Sequence, residues 1–252
     1  MITYNHEKYV AEAIEGVLMQ EVDFEVELVI VDDASNDRTG EIIQSYIDYH
    51  PRGSWINYTR HPVNKGMMGN FVWALERCNG KYIALCEGDD YWIESKKLQM
   101  QIEILELNLN YSFCFHDAYF YENEKFSKSF SEKYSLLNFK NFFSIYDLFN
   151  NQWFIPTGSI LFRRIRIPNW IKNVNAGDFT LQLLLSQTNG FFFLPSIMSV
   201  YRIHRMGASH KNRNHKKRLN DIIHWIIYIP KARNFKVFRW LFANFWRFVF
   251  LR

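Results

Sequence analysis

Two short apolar runs each end in a cluster of carboxylates: Val26 to Val31 runs into Asp32 and Asp33, and Tyr82 to Cys86 runs into Glu87, Gly88, Asp89 and Asp90. A β-branched run bounded by acidic and small residues reads as a buried parallel strand, and in an open α/β sheet ligands bind just beyond the carboxyl ends of such strands. The four aspartates are therefore expected to meet in one crevice. Like charges that close repel unless a cation, or a polar ligand carrying one, lies among them. These are the electrostatics of a site for a divalent metal and a diphosphate.

The elements that would position these residues follow from periodicity. Residues 1 to 5 read as the last residues of a strand and its exit turn, so a strand entering from upstream is expected to be missing. A helix then carries Val10, Ile14, Val17 and Leu18 at helical spacing. After the strand at 26 to 31, Ser35 and Asp37 offer N-caps for a helix with Ile42, Ile43, Tyr46 and Ile47, and Trp55 to Thr59 reads as a further strand. Asn64-Lys65-Gly66-Met67-Met68-Gly69-Asn70 is a glycine-rich turn feeding a helix with Phe71, Ala74, Leu75 and Cys78, closed by Asn79-Gly80. Strands alternating with helical patterns imply a doubly wound, mostly parallel α/β sheet flanked by helices. Past a helix at 98 to 107 the texture changes: Tyr111 to Tyr121 is strand-like, 122 to 152 is polar and aromatic without clear period, and Ile155 to Phe162 resumes strand character. A helix is expected at about 178 to 187, after Gly177-Asp178.

At 252 residues with 48% hydrophobic content, the chain fits one large α/β domain with an appendage. The net charge of +4 conceals an asymmetry. Arg202 to the end holds 13 Lys/Arg against the single acid Asp221, leaving residues 1 to 201 acidic by 8. Such a split points to a tail that meets a polyanion, a membrane or a nucleic acid. The three cysteines, Cys78, Cys86 and Cys114, lack ligand-type spacing, which favours free thiols in a reducing compartment. The opening residues carry no secretory signal, and no stretch of about 18 apolar residues predicts a spanning helix.

The order Thr3-Tyr4-Asn5, Val31-Asp32-Asp33-Ala34-Ser35, Asn64-Lys65-Gly66, Glu87-Gly88-Asp89-Asp90-Tyr91-Trp92, Gly177-Asp178 and Tyr201-Arg202-Ile203-His204 resembles a family 2 glycosyltransferase with the GT-A fold. The resemblance covers roughly residues 1 to 210. It implies a GT-A domain over 1 to 204, with a nucleotide-binding half (1 to 107) and an acceptor half (108 to 204), followed by a basic aromatic helical tail (205 to 252). It departs from the family at Gly177-Asp178, where the family often has Glu-Asp.

Transfer from a nucleotide sugar loads negative charge onto the departing diphosphate, and Mg²⁺ or Mn²⁺ can neutralise it through oxygen ligands. The resemblance implies that Asp90 meets the metal and Asp89 the ribose, or the metal through water. It implies that Asp32 or Asp33 accepts hydrogen bonds from the base or ribose, within a nucleotide site that also includes Thr3, Tyr4, Asn5, Ser35, Lys65 and Gly66. Local alternatives are an Asx turn at Asp32-Asp33 and a helix cap at Asp89-Asp90. Glu87 is either a supporting carboxylate or a solvated strand end. Asp178 is the candidate general base of an inverting displacement, a role compatible with capping the helix that follows it. His204 is a candidate metal ligand, and Arg202 a candidate phosphate or carboxylate partner. Gly158, in Thr157-Gly158-Ser159, could line the donor sugar, and Trp92, Trp153 and Tyr91 could stack on sugar faces.

The tail joins Lys211, Arg213, Lys216, Lys217 and Arg218 to Trp225, Trp240, Phe242, Phe245, Trp246, Phe248 and Phe250. Basic side chains beside interfacial aromatics describe a helix on an anionic leaflet, suited to a lipid-linked or growing polysaccharide acceptor at the cytoplasmic face. Packing of these helices on the acidic body is the alternative. The expected donor is a UDP-sugar by family habit. No nucleic acid partner is expected, although a single-strand platform has the same tail composition. A sugar-phosphate nucleotidyltransferase is the rival enzyme, opposed by the lack of a glycine-rich triphosphate loop near the start.

Overall fold

The computed structural model describes residues 1–138, 140–151, 153–205, 207 and 215–229. Strands β1 (Ile2–Thr3), β2 (Leu28–Asp32) and β3 (Ile56–Arg60) pair in parallel in that order, with α1 (Val10–Leu18) and α2 (Thr39–Tyr49) as their crossovers. All five residues of β2 are buried, as a strand covered on both faces requires. On α1 the buried Val10, Ile14, Val17 and Leu18 are the positions whose spacing predicts that helix.

The chain continues through α3 (Gly66–Arg77), β4 (Tyr82–Ala84), β5 (Tyr91–Trp92), α4 (Lys97–Leu107), β6 (Tyr111–Glu122) and β7 (Lys125–Ser129). Then come α5 (Phe130–Lys133), β8 (Phe142–Phe143), α6 (Ile145–Asn151), β9 (Leu161–Arg163), α7 (Gly177–Leu185), β10 (Gly190–Ile203) and α8 (His215–Tyr228). The second sheet runs β4-β9-β6-β10-β5 and meets the first where Ile2 bridges Glu87.

A mostly parallel sheet holds for the first half only. In the second, β6 and β10 are parallel, whereas β9 runs antiparallel to β4 and β6, and β5 runs antiparallel to β10. The result is a mixed sheet. One cause is local: Asn123 and Glu124 both take positive φ, 50° and 61°, which turns β6 straight back into β7. The aromatic stretch without period, 122 to 152, folds into short elements whose rings enter the core. Phe143 and Phe154 pack with Phe115 and Phe191, and Phe113 stacks on Phe191 of the adjacent strand at 4.4 Å.

Helix α8 corrects one expectation for the tail. Ile222, Trp225 and Ile229 belong to the main hydrophobic core, and the Trp225 ring lies 5.1 Å from that of Phe179. Trp225 is therefore packed structure and not a membrane-facing ring, because α8 lays its apolar stripe against α7. Trp240, Phe242, Phe245, Trp246, Phe248 and Phe250 lie outside the described residues, as do Lys211 and Arg213. Among the described residues no helix is long and apolar enough to cross a membrane.

Candidate active site

The loops leaving β1 and β2 are tied to each other before either reaches a ligand. Asn5 N–H donates to Ser35 Oγ at 2.9 Å, Asn36 N–H donates to Asn5 Oδ1 at 2.9 Å, and His6 N–H donates to Thr39 Oγ1. Asn5 and Ala34 both sit in the left-handed region, φ 56° and 64°, a conformation that non-glycine residues hold only when surroundings enforce it.

The Asp32 carboxylate is fully buried and already committed to this scaffold. Its Oδ1 accepts Ser35 N–H and Oγ–H at 2.9 and 2.5 Å, and its Oδ2 accepts the Tyr58 hydroxyl at 3.1 Å. Burial and this carboxylate push the Tyr58 phenol up. Asp33 Oδ1 accepts Lys65 N–H at 2.7 Å, and Asn64 Nδ2 donates to the Asp33 carbonyl. Gly66 follows with φ 78° and opens α3. Thr3, Asn5, Asp32, Asp33, Ser35, Lys65 and Gly66 thus share one rim at the strand carboxyl ends, with Tyr4 exposed beside them.

The exit of β4 presses against the exit of β1. Gly88 N–H donates to the Ile2 carbonyl, and a Cβ at Gly88 would lie 2.8 Å from Thr3 Oγ1 and His6 Nδ1, so only glycine fits. Asp89 Oδ2 stands 2.9 Å from His204 Nε2 and 3.8 Å from His6 Nε2. Burial alone would raise the Asp89 carboxyl, but the His204 hydrogen bond and the two imidazoles outweigh it and hold the group below the usual carboxylate range.

Asp90 behaves oppositely. Burial and the neighbouring Asp89 push it well up, even though its Oδ1 accepts Arg202 N–H at 2.8 Å. Burial, then Asp89 and Asp178, push Glu87 up to about 8. Arg202 Nη1 donates to the Asp89 carbonyl, Nη2 pairs with Glu12, and the guanidinium lies 4.2 Å over the Tyr91 ring.

Asp178 lies in the first turn of α7, after the N-cap Ala176; its Oδ1 accepts Phe179 N–H at 2.8 Å, and burial pushes its carboxyl up. Its Oδ2 accepts the Thr157 hydroxyl at 3.2 Å. The next residue, Gly158, faces Asp90: a Cβ there would lie 4.0 Å from Asp90 Oδ2. One tight turn, Thr157–Ser159, therefore spans from the β4 carboxylates to the α7 carboxylate. Gly177 stands where a Cβ would lie 2.4 Å from Met68 Sδ, the end of a flexible side chain, so a larger residue before Asp178 would require Met68 to move.

That turn rests on a buried polar strut. Trp92 Nε1 donates to the Gly158 carbonyl at 2.8 Å, and Gln101 Nε2 donates to the Ser159 carbonyl at 2.8 Å. Lys97 Nζ donates to Gln101 Oε1 and lies 3.7 Å from the Trp92 ring centre. Trp92 is 4% exposed, so it supports the crevice from beneath and presents no open face for a sugar; its pairing into β5 buries it. Trp153, by contrast, is exposed.

The structure brings His204 to Asp89, whereas the sequence reading groups His204 with Asp90. His6, Glu12, Lys97, Gln101 and Asp221 also join the site or its supports without having been singled out. His6 carried a signal, since it follows Thr3-Tyr4-Asn5 directly; Glu12 acts through the side chain of Arg202, distant in sequence, Lys97 through the side chains of Gln101 and Trp92, and Gln101 and Asp221 through backbone groups that leave no pattern. Among the described residues no three His, Cys, Asp or Glu side chains converge as a preformed metal site. The donor chemistry nevertheless fits a hard cation in kind: two carboxyls, Glu87 and Asp90, pushed up by burial and by the neighbouring Asp89, beside an imidazole.

The profile of the family described as Glycosyl transferase family 2 matches residues 1–167. An uncharacterized protein of Mycobacterium tuberculosis is 34% identical over 211 residues, which are 83% of this chain and 59% of that protein. The chain thus spans less than two thirds of that relative's length. The structure is similar to that of S. aureus TarS in complex with UDP-GlcNAc, at a TM-score of 0.70 and 15% identity, over 99% of this chain and 71% of that one. It is also similar to the mannosyltransferase PcManGT of Pyrobaculum calidifontis in complex with GDP-Man and Mn2+, at a TM-score of 0.63 and 17% identity, over 97% and 67%.

Proposed function

The chain belongs to glycosyl transferase family 2, and on that premise we propose that it transfers one sugar, with inversion, from a nucleoside-diphosphate sugar to a hydroxyl of a lipid-linked or growing surface polysaccharide. The observation that supports this reading most is the Thr157–Gly158 turn, where Thr157 bonds the Asp178 carboxylate and Gly158 lies against Asp90. In this reading one turn links the base to the residues proposed for the leaving group.

In this reading the rim of Thr3, Asn5, Asp33 and Lys65 receives the nucleoside, and Asp89 orients the ribose through carboxylate acceptance of hydroxyl hydrogen bonds. Asp90 and His204 are the residues proposed to hold a divalent cation, Mn²⁺ or Mg²⁺, which supplies charge neutralisation for the diphosphate when bound. Asp178 takes the proton of the acceptor hydroxyl while that oxygen bonds to the anomeric carbon and the bond to the diphosphate breaks. Burial raises its affinity for protons, the direction a general base requires. Work at the cytoplasmic face of a membrane is the proposed setting, with the segment beyond α8 as the contact.

A thermal-shift panel tests the donor half: UDP-, GDP-, dTDP- and CMP-sugars, each with and without Mn²⁺. A ligand that binds only the folded state raises its melting temperature. A rise for one nucleotide class, larger with Mn²⁺, is expected, with UDP-sugars first. No rise for any donor overturns the reading.

A further inference from the structure

Helix α8 reaches the candidate base from outside the segment that the family profile matches. Asp221 is 4% exposed, yet no cation pairs with it among the described residues. Its carboxylate instead accepts Asn175 N–H at 2.7 Å, Asn175 Nδ2–H at 2.9 Å and Ala176 N–H at 3.2 Å. These are the two residues before Gly177-Asp178. One turn further along α8, Trp225 Nε1 donates to Thr180 Oγ1 at 2.9 Å, and that hydroxyl in turn donates to the Ala176 carbonyl at 2.7 Å. Asn220 Nδ2 adds a bond to the Asn173 carbonyl at 2.7 Å. Three of the four residues from 173 to 180 that carry these contacts, Asn175, Ala176 and Thr180, flank Asp178 within the first turn of α7 or just before it.

A buried carboxylate that accepts backbone N–H groups at a helix start does what a helix cap does, but Asp221 does it from another helix. The first-turn N–H groups of α7 otherwise find Asp178 itself, through Phe179. Two carboxylates therefore divide the donors of one helix start. Asp221 satisfies those on the approach, and Asp178 keeps Oδ2 turned toward Thr157 and the crevice.

We infer that Asp221 is a positioning residue for the transfer reaction: it fixes the backbone entering α7 so that Asp178 points at the acceptor, and α8 is thereby part of the catalytic domain. The inference rests on the reading of Asp178 as the base. Its electrostatics are consistent with the geometry. The groups that face Asp178 are Glu87 from the end of β4, Asp221 from α8 and the Thr157 hydroxyl; burial pushes the Asp178 carboxyl up, Asp221 adds to it, the Thr157 bond opposes it, and Asp178 in turn raises Glu87.

The test uses the full chain and Asp221→Asn, with Trp225→Phe as a second variant that keeps an aromatic ring in the core and loses the Thr180 bond. Amide hydrogen exchange and the carboxyl ¹³C titration of Asp178 need no substrate. Asp221→Asn is expected to speed exchange of the 175 to 180 amides by about tenfold or more while β6 and β10 stay protected, and to lower the Asp178 titration midpoint. Release of UDP from UDP-GlcNAc and UDP-glucose, with Mn²⁺ and a hydroxyl acceptor, reads the catalytic consequence. A fall in kcat of roughly tenfold to a hundredfold at unchanged donor affinity is expected, with the acid limb of the pH profile moved to lower pH. In an Asp178→Asn background the same substitution should change turnover little, because it acts through Asp178.

Unchanged exchange and titration in folded Asp221→Asn overturn the inference. So does an equal fall in turnover with and without Asp178, which would mark a general loss of structure. If instead Asp178→Asn alone turns over like the wild type, the base reading fails separately, while exchange and titration still decide whether Asp221 orients that carboxylate.

Discussion

The His204 imidazole and the Asp89 carboxylate meet at 2.9 Å across 115 positions of the chain, closing the exit of β10 onto the exit of β4. Burial opposes the Asp89 charge, and His204 and His6 more than offset it, so the carboxyl is held below its ordinary value. A carboxylate so depressed stabilises the fold at pH above its unfolded value and loses that contribution as pH falls through its folded value. His204→Ala is therefore expected to cost about 1.5–3 kcal/mol near pH 7, the range for a hydrogen bond to a charged group. The gap between variant and wild type should close as the pH drops below the carboxylate range. Thermal unfolding at stepped pH measures it; a gap that stays constant would show that Asp89 draws nothing from His204.

Asp90→Asn should leave the fold intact and abolish the Mn²⁺-dependent part of nucleotide binding. Asn Oδ1 can still accept Arg202 N–H, and the substitution removes a charge that burial and Asp89 already disfavour. The melting temperature without ligand should stay level or rise. Calorimetry with UDP, with and without Mn²⁺, decides the rest: an unchanged affinity in the presence of metal removes Asp90 from the metal site.

Asp178→Asn is expected to keep donor and metal binding and to lower transfer by a factor of about 10² or more, the usual contribution of a positioned base. The amide oxygen can still accept Phe179 N–H, so loss of fold is not expected. Steady-state turnover near wild type would rule Asp178 out as the base.

Lys97 offers a test with its own pH signature. It is fully buried, and burial brings its ammonium down from 10.5 to about 7. Between these values the unfolded chain binds a proton that the folded chain lacks, so this group makes stability rise with pH across that window. Lys97→Met removes the effect along with the bond to Gln101. The melting temperature of the wild type relative to Lys97→Met should climb from pH 7 to pH 10. Parallel curves would mean that the amine stays charged in the fold.

The carboxylates at the sheet edge were legible because they follow strands whose apolar runs announce themselves: Asp32 ends β2, and Glu87 to Asp90 follow β4, whereas Asp178 opens a helix and was legible only through the family resemblance. The helices with a clear apolar stripe, α1 and α3, were legible for the same reason. Strand β5 was not, because two residues carry no period; it exists through pairing of Tyr91 and Trp92 with Val200 and Ser199. Without β5, Trp92 reads as a free aromatic near a sugar, and its burial as a strut goes unseen. Asp221 was visible as the lone acid of a basic segment, but its partners are backbone N–H groups, which every residue but proline possesses. The antiparallel returns of the second half escaped for a related reason, since an aromatic-rich strand looks alike in either direction.

Two shortened chains separate packing from membrane contact in the C-terminal segment. Ending at Lys211 removes α8, and with it the burial of Trp225 and Ile229 and the Asp221 bonds to the start of α7. Loss of a buried tryptophan alone costs about 3 kcal/mol or more, so this chain should melt markedly lower than the full chain. Ending at Ile229 keeps those contacts and deletes 230 to 252, which carry six Lys/Arg, no acid and most of the tail's aromatic rings. That chain should melt like the full one. It should also lose most binding to phosphatidylglycerol vesicles, binding that in the full chain weakens as salt screens the basic residues. Single-stranded DNA belongs in the same assay, because a basic segment binds any polyanion somewhat at low salt. Vesicle binding that survives deletion of 230 to 252 would assign the contact to another surface, and tight single-strand binding without vesicle binding at physiological salt would replace the membrane as the tail's partner.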